Sequence, residues 1–203
     1  MLAFTAAYMG AALVALLRSQ NPEFAIYLIV MLVLIILVTA VHLRTYLHIA
    51  TRWCLSLWGL AHMAGGLIPI PEGWPRSDGP AVLYNLWIVV GVLKYDQVVH
   101  AFGSAVATWS CWQALHGAFH HRGVKLDRSF GLISLCFAAG IGFGAANETL
   151  EFLATLVLPR TNVGDYANTG WDLIANFVGA SLVAVALITL KPSSADATQG
   201  PTP

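Results

Sequence analysis

Apolar positions come in long uninterrupted runs along this chain, and its few charges fall mostly between them. Runs free of Lys, Arg, Asp and Glu cover Leu2–Leu17, Phe24–Leu43 and Trp53–Ile70, with breaks at residues 18–23 and 44–52. Each approaches the roughly 20 residues a helix needs to cross a hydrocarbon layer of about 30 Å. Three later segments, Tyr95–Leu115, Phe130–Leu158 and Trp171–Leu190, are similarly apolar but hold isolated charges within them. The pattern predicts an all-α, polytopic transmembrane helical bundle of about six spans, a single domain over residues 1–190. The stretch from Pro71 to Pro80 is dense in the Pro and Gly that mark turns. After it, Ala81–Leu93 is apolar but too short to cross, which predicts an interfacial or re-entrant helix.

Composition strengthens this reading. Apolar residues make up 58% of the 203 and charged residues 10%, with a mean hydropathy of +0.71; soluble domains carry about 25% charged residues. The spans leave no room for a soluble domain of ordinary size. Residues Lys191–Pro203 are rich in Ser, Pro, Thr, Gly and Ala and predict a disordered tail. The first apolar run has neither a preceding basic region nor a clear small-x-small cleavage site, so it reads as a retained first span. Cys54, Cys111 and Cys136 lie in apolar segments without zinc spacing and read as buried thiols.

Formal net charge is zero, which gives no argument for a nucleic-acid partner; none is expected, and the lipid bilayer is the expected one. Six spans place Arg44, Arg52, Arg122, Lys125, Arg128 and Lys191 on one side, and Arg18, Arg76, Lys94 and Arg160 on the other. By the positive-inside rule this favours both termini in the cytoplasm. Trp53, Trp74 and Trp171 fall near span ends and read as interfacial anchors.

The candidate chemistry lies in polar residues inside the spans. His62, Asp96, His100, Glu148, Glu151, Asp172 and Asn176 fall at matching depth in the outer halves of different spans. Asp96 with His100, Glu148 with Glu151, and Asp172 with Asn176 are three or four apart, so each pair shares a helix face. Converging His and carboxylate donors suit zinc, manganese or iron better than calcium or magnesium. A divalent metal held by His62, Asp96, His100, Glu148, Glu151 and Asp172 is one reading. Proton chemistry is the other, with Glu148, Glu151 and His62 as the acids and bases. Arg160 and Asn176 are candidates for binding a substrate, Arg160 for a phosphate or carboxylate.

A structural reading stands beside these. Asp96 and Asp172, near span ends, read singly as acids at helix N-termini that meet water. Glu148 and Glu151 lie about two to three turns inside a span, where a charge costs at least ~2.5 kcal/mol, and favour function. His116 and His120 adjoin a basic loop and read as solvated. Gly140, Gly142 and Gly144, with Ala145 and Ala146, form a small-residue face suited to close helix contact or a bend just before the glutamates.

Three blocks resemble the YjdF-like family of predicted bacterial inner-membrane proteins. They are His62-Met63-Ala64-Gly65-Gly66; Tyr95-Asp96 followed by His100 and Gly103; and Glu148-Thr149-Leu150-Glu151 followed by Trp171-Asp172. That family usually has Glu where Met63 stands, Arg where Gln97 stands, and Asp where Asn168 stands. The C-terminal blocks also resemble VanZ-like membrane proteins, through Glu148–Glu151, Pro159-Arg160 and Asp172–Ala180. This resemblance implies a link to the cell envelope.

Three functions follow as expectations: a metal-dependent or acid–base enzyme on a lipid-linked or envelope substrate; a non-catalytic envelope partner whose polar cluster glues helices together; and a proton-coupled transporter. The inner halves of the spans are nearly free of ionisable groups, which ranks the transporter last.

Overall fold

The computed structural model describes residues 1–19, 22–158 and 161–190. It contains six α-helices: α1 (Leu2–Ser19), α2 (Pro22–Thr45), α3 (Ile49–Leu67), α4 (Tyr95–His120), α5 (Phe130–Val157) and α6 (Tyr166–Thr189). Among them α2, α5 and α6 are long and apolar enough to cross a membrane, and α1 is a shorter apolar helix. The polar residues of α3 and α4 dilute their hydropathy, yet α4 packs on α2, α3, α5 and α6. Many large apolar side chains face outward, among them Ile36, Leu153 and Leu182. The bilayer replaces water as solvent for such a surface. Arg160 and the tail expected over residues 191–203 lie outside the described residues.

Helix ends fall where local chemistry sets them. Ser129 caps α5 by accepting from the Leu132 amide at 3.3 Å, and Asp165 caps α6 by accepting from the Asn168 amide at 2.9 Å. Because Asp165 is the cap, α6 begins five residues before the apolar run starting at Trp171. Asp172 therefore lies well inside the helix and is fully buried, contrary to its reading as a water-exposed acid.

The helix expected over Ala81–Leu93 does not form. Leu83–Asn85 makes one 3-10 turn, and β1 (Trp87–Val89) pairs antiparallel with β2 (Leu93–Lys94). The run Ile88-Val89-Val90 is β-branched, which disfavours a helix too short to be held by its neighbours, and Gly91 turns the hairpin at φ 71°. Hydrogen bonds fold residues 68–94 into a cap: the Ile70 amide donates to the Ala81 carbonyl at 2.8 Å, and the Leu83 amide to the Ile68 carbonyl at 3.0 Å. The cap lies at the bundle end where α3 and α5 finish and α4 and α6 begin.

Tyr8, Ala12, Leu28, Met31 and Met63 form one core between α1, α2 and α3, and Trp112, Ile133, Cys136 and Leu187 form another between α4, α5 and α6. Trp112 is thus buried, with the Arg128 guanidinium 6.0 Å from its ring centroid. The three cysteines are free; Cys136 is buried, and Cys54 and Cys111 are half-buried. Trp53, Trp74 and Trp171 are exposed, near helix ends or in the cap.

Glycines permit the tight helix contacts. A Cβ on Gly179 would overlap the Ala101 carbonyl, one on Gly140 would overlap the Thr108 hydroxyl, and one on Gly144 would lie 2.5 Å from Asn176 Cγ. Gly142 meets nothing within 4 Å and so faces away from this contact. Gly179→Ala should lower stability in a detergent melt by about 1–3 kcal/mol through overpacking, whereas Gly142→Ala should lose none. Equal behaviour of the two variants would contradict this packing.

Candidate functional site

At the capped end of the bundle, α4, α5 and α6 bring carboxylates together around His100. Asp96, one turn before it on α4, places Oδ1 3.5 Å from His100 Nε2, and Glu148 of α5 places Oε1 3.3 Å from His100 Nδ1. From α6, Asn176 Nδ2 lies 3.4 Å from the same Nδ1. The Ser104 hydroxyl donates to Asn176 Oδ1 at 2.7 Å, which turns the amide nitrogen toward His100. Asn176 therefore orients His100 from a position where only 1% of it is exposed.

Asp172 accepts from Asn168 Nδ2 through Oδ2 at 2.5 Å, and Asn168 Nδ2 also reaches Asp96 Oδ2 at 3.5 Å. Lys94, buried at the foot of the hairpin, donates from Nζ to Asn168 Oδ1. Glu151 accepts from Asn147 Nδ2 at 2.7 Å. Among the described residues, two buried carboxylate oxygens, Glu148 Oε1 and Asp172 Oδ1, receive no hydrogen bond. His100 Nδ1 faces both Asn176 Nδ2 at 3.4 Å and Glu148 Oε1 at 3.3 Å, and when that ring is protonated it pairs with the Glu148 carboxylate. A proton on His100 or a bound metal ion would each satisfy that oxygen.

Donor atoms converge in two overlapping sets. Asp96, His100 and Asp172 form one, and His100, Glu148 and Glu151 the other, with the ligand atoms of each set within 4.8 Å of one another. Five of the six expected metal ligands are thus brought together, with His100 common to both sets.

His62 belongs to neither set. It is buried in an aromatic box, stacked on Trp58 at 5.4 Å between centroids and edge-on to Tyr27 at 5.9 Å and Tyr84 at 5.8 Å. The Tyr84 hydroxyl donates to the His62 backbone carbonyl at 2.7 Å and lies 2.9 Å from Nδ1. A hydroxyl has one proton and the carbonyl can only accept it, so Nδ1 must donate its own proton to the tyrosine oxygen. His62 is thereby fixed as the Nδ1–H tautomer, with its lone pair on Nε2. Burial pushes the Tyr84 phenol well above its ordinary pKa, and the Asp96 charge adds to this, so the hydroxyl keeps its proton. Tyr84 also closes over Gly65, where a Cβ would overlap its ring.

The matched family model is described as Predicted membrane protein (DUF2238) and covers residues 1–192. The chain belongs to this family. Membership agrees with the likeness of its sequence blocks to uncharacterised predicted membrane proteins. No curated protein and no solved structure matches the chain.

Several residues of the site in this family member carry little signal in the sequence. Tyr84 and Lys94 belong to a cap whose fold is non-local, and Ser104 and Asn168 are polar residues of ordinary kind. Asn168 lies one turn before Asp172, a spacing that could have marked it. Glu23, only 2% exposed, accepts from the Tyr27 hydroxyl at 2.6 Å and from the Asn162 amide at 2.7 Å. It ties α2 to the segment before α6, although its place between two apolar runs marks it as a loop acid. His116 and His120 stack with centroids 6.5 Å apart at the opposite end of the bundle, away from the cluster.

In nitrogen-15 NMR of histidine-labelled protein, one buried histidine should show the Nδ1–H tautomer, and Tyr84→Phe should remove that signature. An Nε2–H tautomer for His62 in the wild type would contradict the assignment.

Proposed function

We propose that this protein is a membrane-embedded enzyme of the bacterial cytoplasmic membrane, whose His100 cluster holds a divalent transition metal. It acts at the outer face on a lipid-linked or other envelope substrate. The observation that carries this reading is the pair of buried carboxylate oxygens in the His100 cluster, Glu148 Oε1 and Asp172 Oδ1, that have no hydrogen bond among the described residues. Uncompensated burial of charged oxygens costs several kcal/mol. Were all four ionised, Asp96, Glu148, Glu151 and Asp172 would outnumber Lys94 and His100 among the described residues, so protons or a further cation must balance the cluster, and the metal reading takes the cation.

One histidine among carboxylates suits zinc, manganese or iron. Asp96, His100 and Asp172 would hold such an ion in one set, and His100, Glu148 and Glu151 in the other. A bound metal supplies Lewis acidity and lowers the pKa of bound water. Asn176 holds the His100 ring in place. His62 offers Nε2 as a nearby base, and Arg160, close after α5 in sequence, offers a cation for a phosphate or carboxylate. The VanZ-like pattern in the C-terminal blocks supports an envelope substrate, and the count of basic residues supports an outward-facing site.

Among the described residues, the polar cluster ends at Thr108, whose hydroxyl donates back to the Ser104 carbonyl at 2.8 Å. Beyond it, Trp112, Ile133, Cys136 and Leu187 fill the bundle. That apolar plug favours a one-ended site over a transport path. The bonds from Ser104 to Asn176 and from Asn168 to Asp172 favour a second reading, in which the cluster is structural glue.

Elemental analysis of protein purified in mild detergent without chelator separates the two. Near-stoichiometric zinc, manganese or iron is expected in the wild type, reduced about ten-fold or more in Glu148→Ala and His100→Ala. A metal-free wild type in which Glu148→Gln raises the melting temperature would overturn the enzyme reading in favour of glue.

A further inference from the structure

We infer that a groove at the opposite end of the bundle binds an anionic phospholipid, with one acyl chain in the groove and the phosphate on Arg44. The groove has a volume of about 560 Å³ and runs between α2 and α5 over a floor of α4. Leu37 and Val41 line one wall, Leu135 and Ala139 the other, and Ala114 and Ala118 the floor. The small side chains of the floor give the groove its depth. From Leu37 to Arg44 it follows the helix axis for about 10 Å at 1.5 Å per residue. That direction is the one an acyl chain takes in a leaflet.

Charge selects the occupant. Arg44 is the charged residue of the lining and is exposed at the mouth. Thr45 ends α2 beside it, and Tyr46 turns the chain away with φ 55°, so the guanidinium stands at the helix end, where a headgroup lies. Loops at the same end carry Arg122, Lys125 and Arg128. A basic end attracts the anionic lipids of a cytoplasmic leaflet, while a zwitterionic headgroup gains little there. The inference is independent of any metal at His100, from which the apolar plug separates this groove.

The test is native mass spectrometry of the full chain released from uncharged detergent, with phosphatidylglycerol and phosphatidylcholine offered in equal amounts. The wild type should retain one phosphatidylglycerol with a preference of about five-fold or more. Arg44→Gln should bring that preference close to unity. Ala139→Phe, which fills the groove while Arg44 remains, should reduce retention of both lipids, with circular dichroism confirming native helicity. Equal retention of the two lipids by the wild type, or a preference that survives Arg44→Gln, would overturn the inference.

Discussion

Carboxylates buried in the core of an apolar bundle are the constraint around which the rest of this structure is arranged. Asp172 and Asn176 of α6 are almost wholly buried, and Glu148 of α5 and His100 of α4 nearly so. Such groups are tolerated only where they converge and share protons, donors or a cation. Convergence requires close backbones, and glycine supplies them: Gly144 leaves room for Asn176, and Gly179 lets α6 approach the Ala101 carbonyl of α4. A larger side chain at either position would push apart the helices that hold His100 among its acids. Helix contact and site geometry thus depend on the same few residues.

The molecule divides along its length. The capped end is polar inside, and the cap is pinned to it by Tyr84 on His62 and by Lys94 on Asn168. Toward the other end, Trp112, Ile133, Cys136 and Leu187 close the interior. Gln113 serves a local purpose there, accepting from the His48 amide at 3.2 Å and the Thr51 hydroxyl at 2.9 Å to hold the start of α3 against α4. The polar cluster is thus confined to the capped end of the bundle.

Much of this was legible in the sequence because it is periodic. Apolar runs located all six helices, and three- and four-residue spacing placed Asp96 with His100 and Glu148 with Glu151 on shared faces. The boundaries were legible only within a few residues, since caps such as Asp165 lie outside the apolar run and shift α6 so that Asp172 becomes buried. Ala81–Leu93 misled because shortness and hydrophobicity do not separate helix from hairpin; its β-branched run and Gly91 did. His62 shared depth with the cluster, but depth says nothing of direction, and the box of Trp58, Tyr27 and Tyr84 comes from contacts distant in sequence. The small-residue run needed its helical phase as well, since Gly140 and Gly144 face α4 and α6 while Gly142 does not.

The central claim is that a cation completes the His100 cluster, and thermal unfolding of chelated protein in detergent tests it most directly. Saturating zinc or manganese should raise the melting temperature of the wild type by about 5 to 10 °C, because an ion that binds only the folded state stabilises it. His100→Ala should show no such rise. An unchanged wild-type melting temperature, or an equal rise in the variant, would contradict the account.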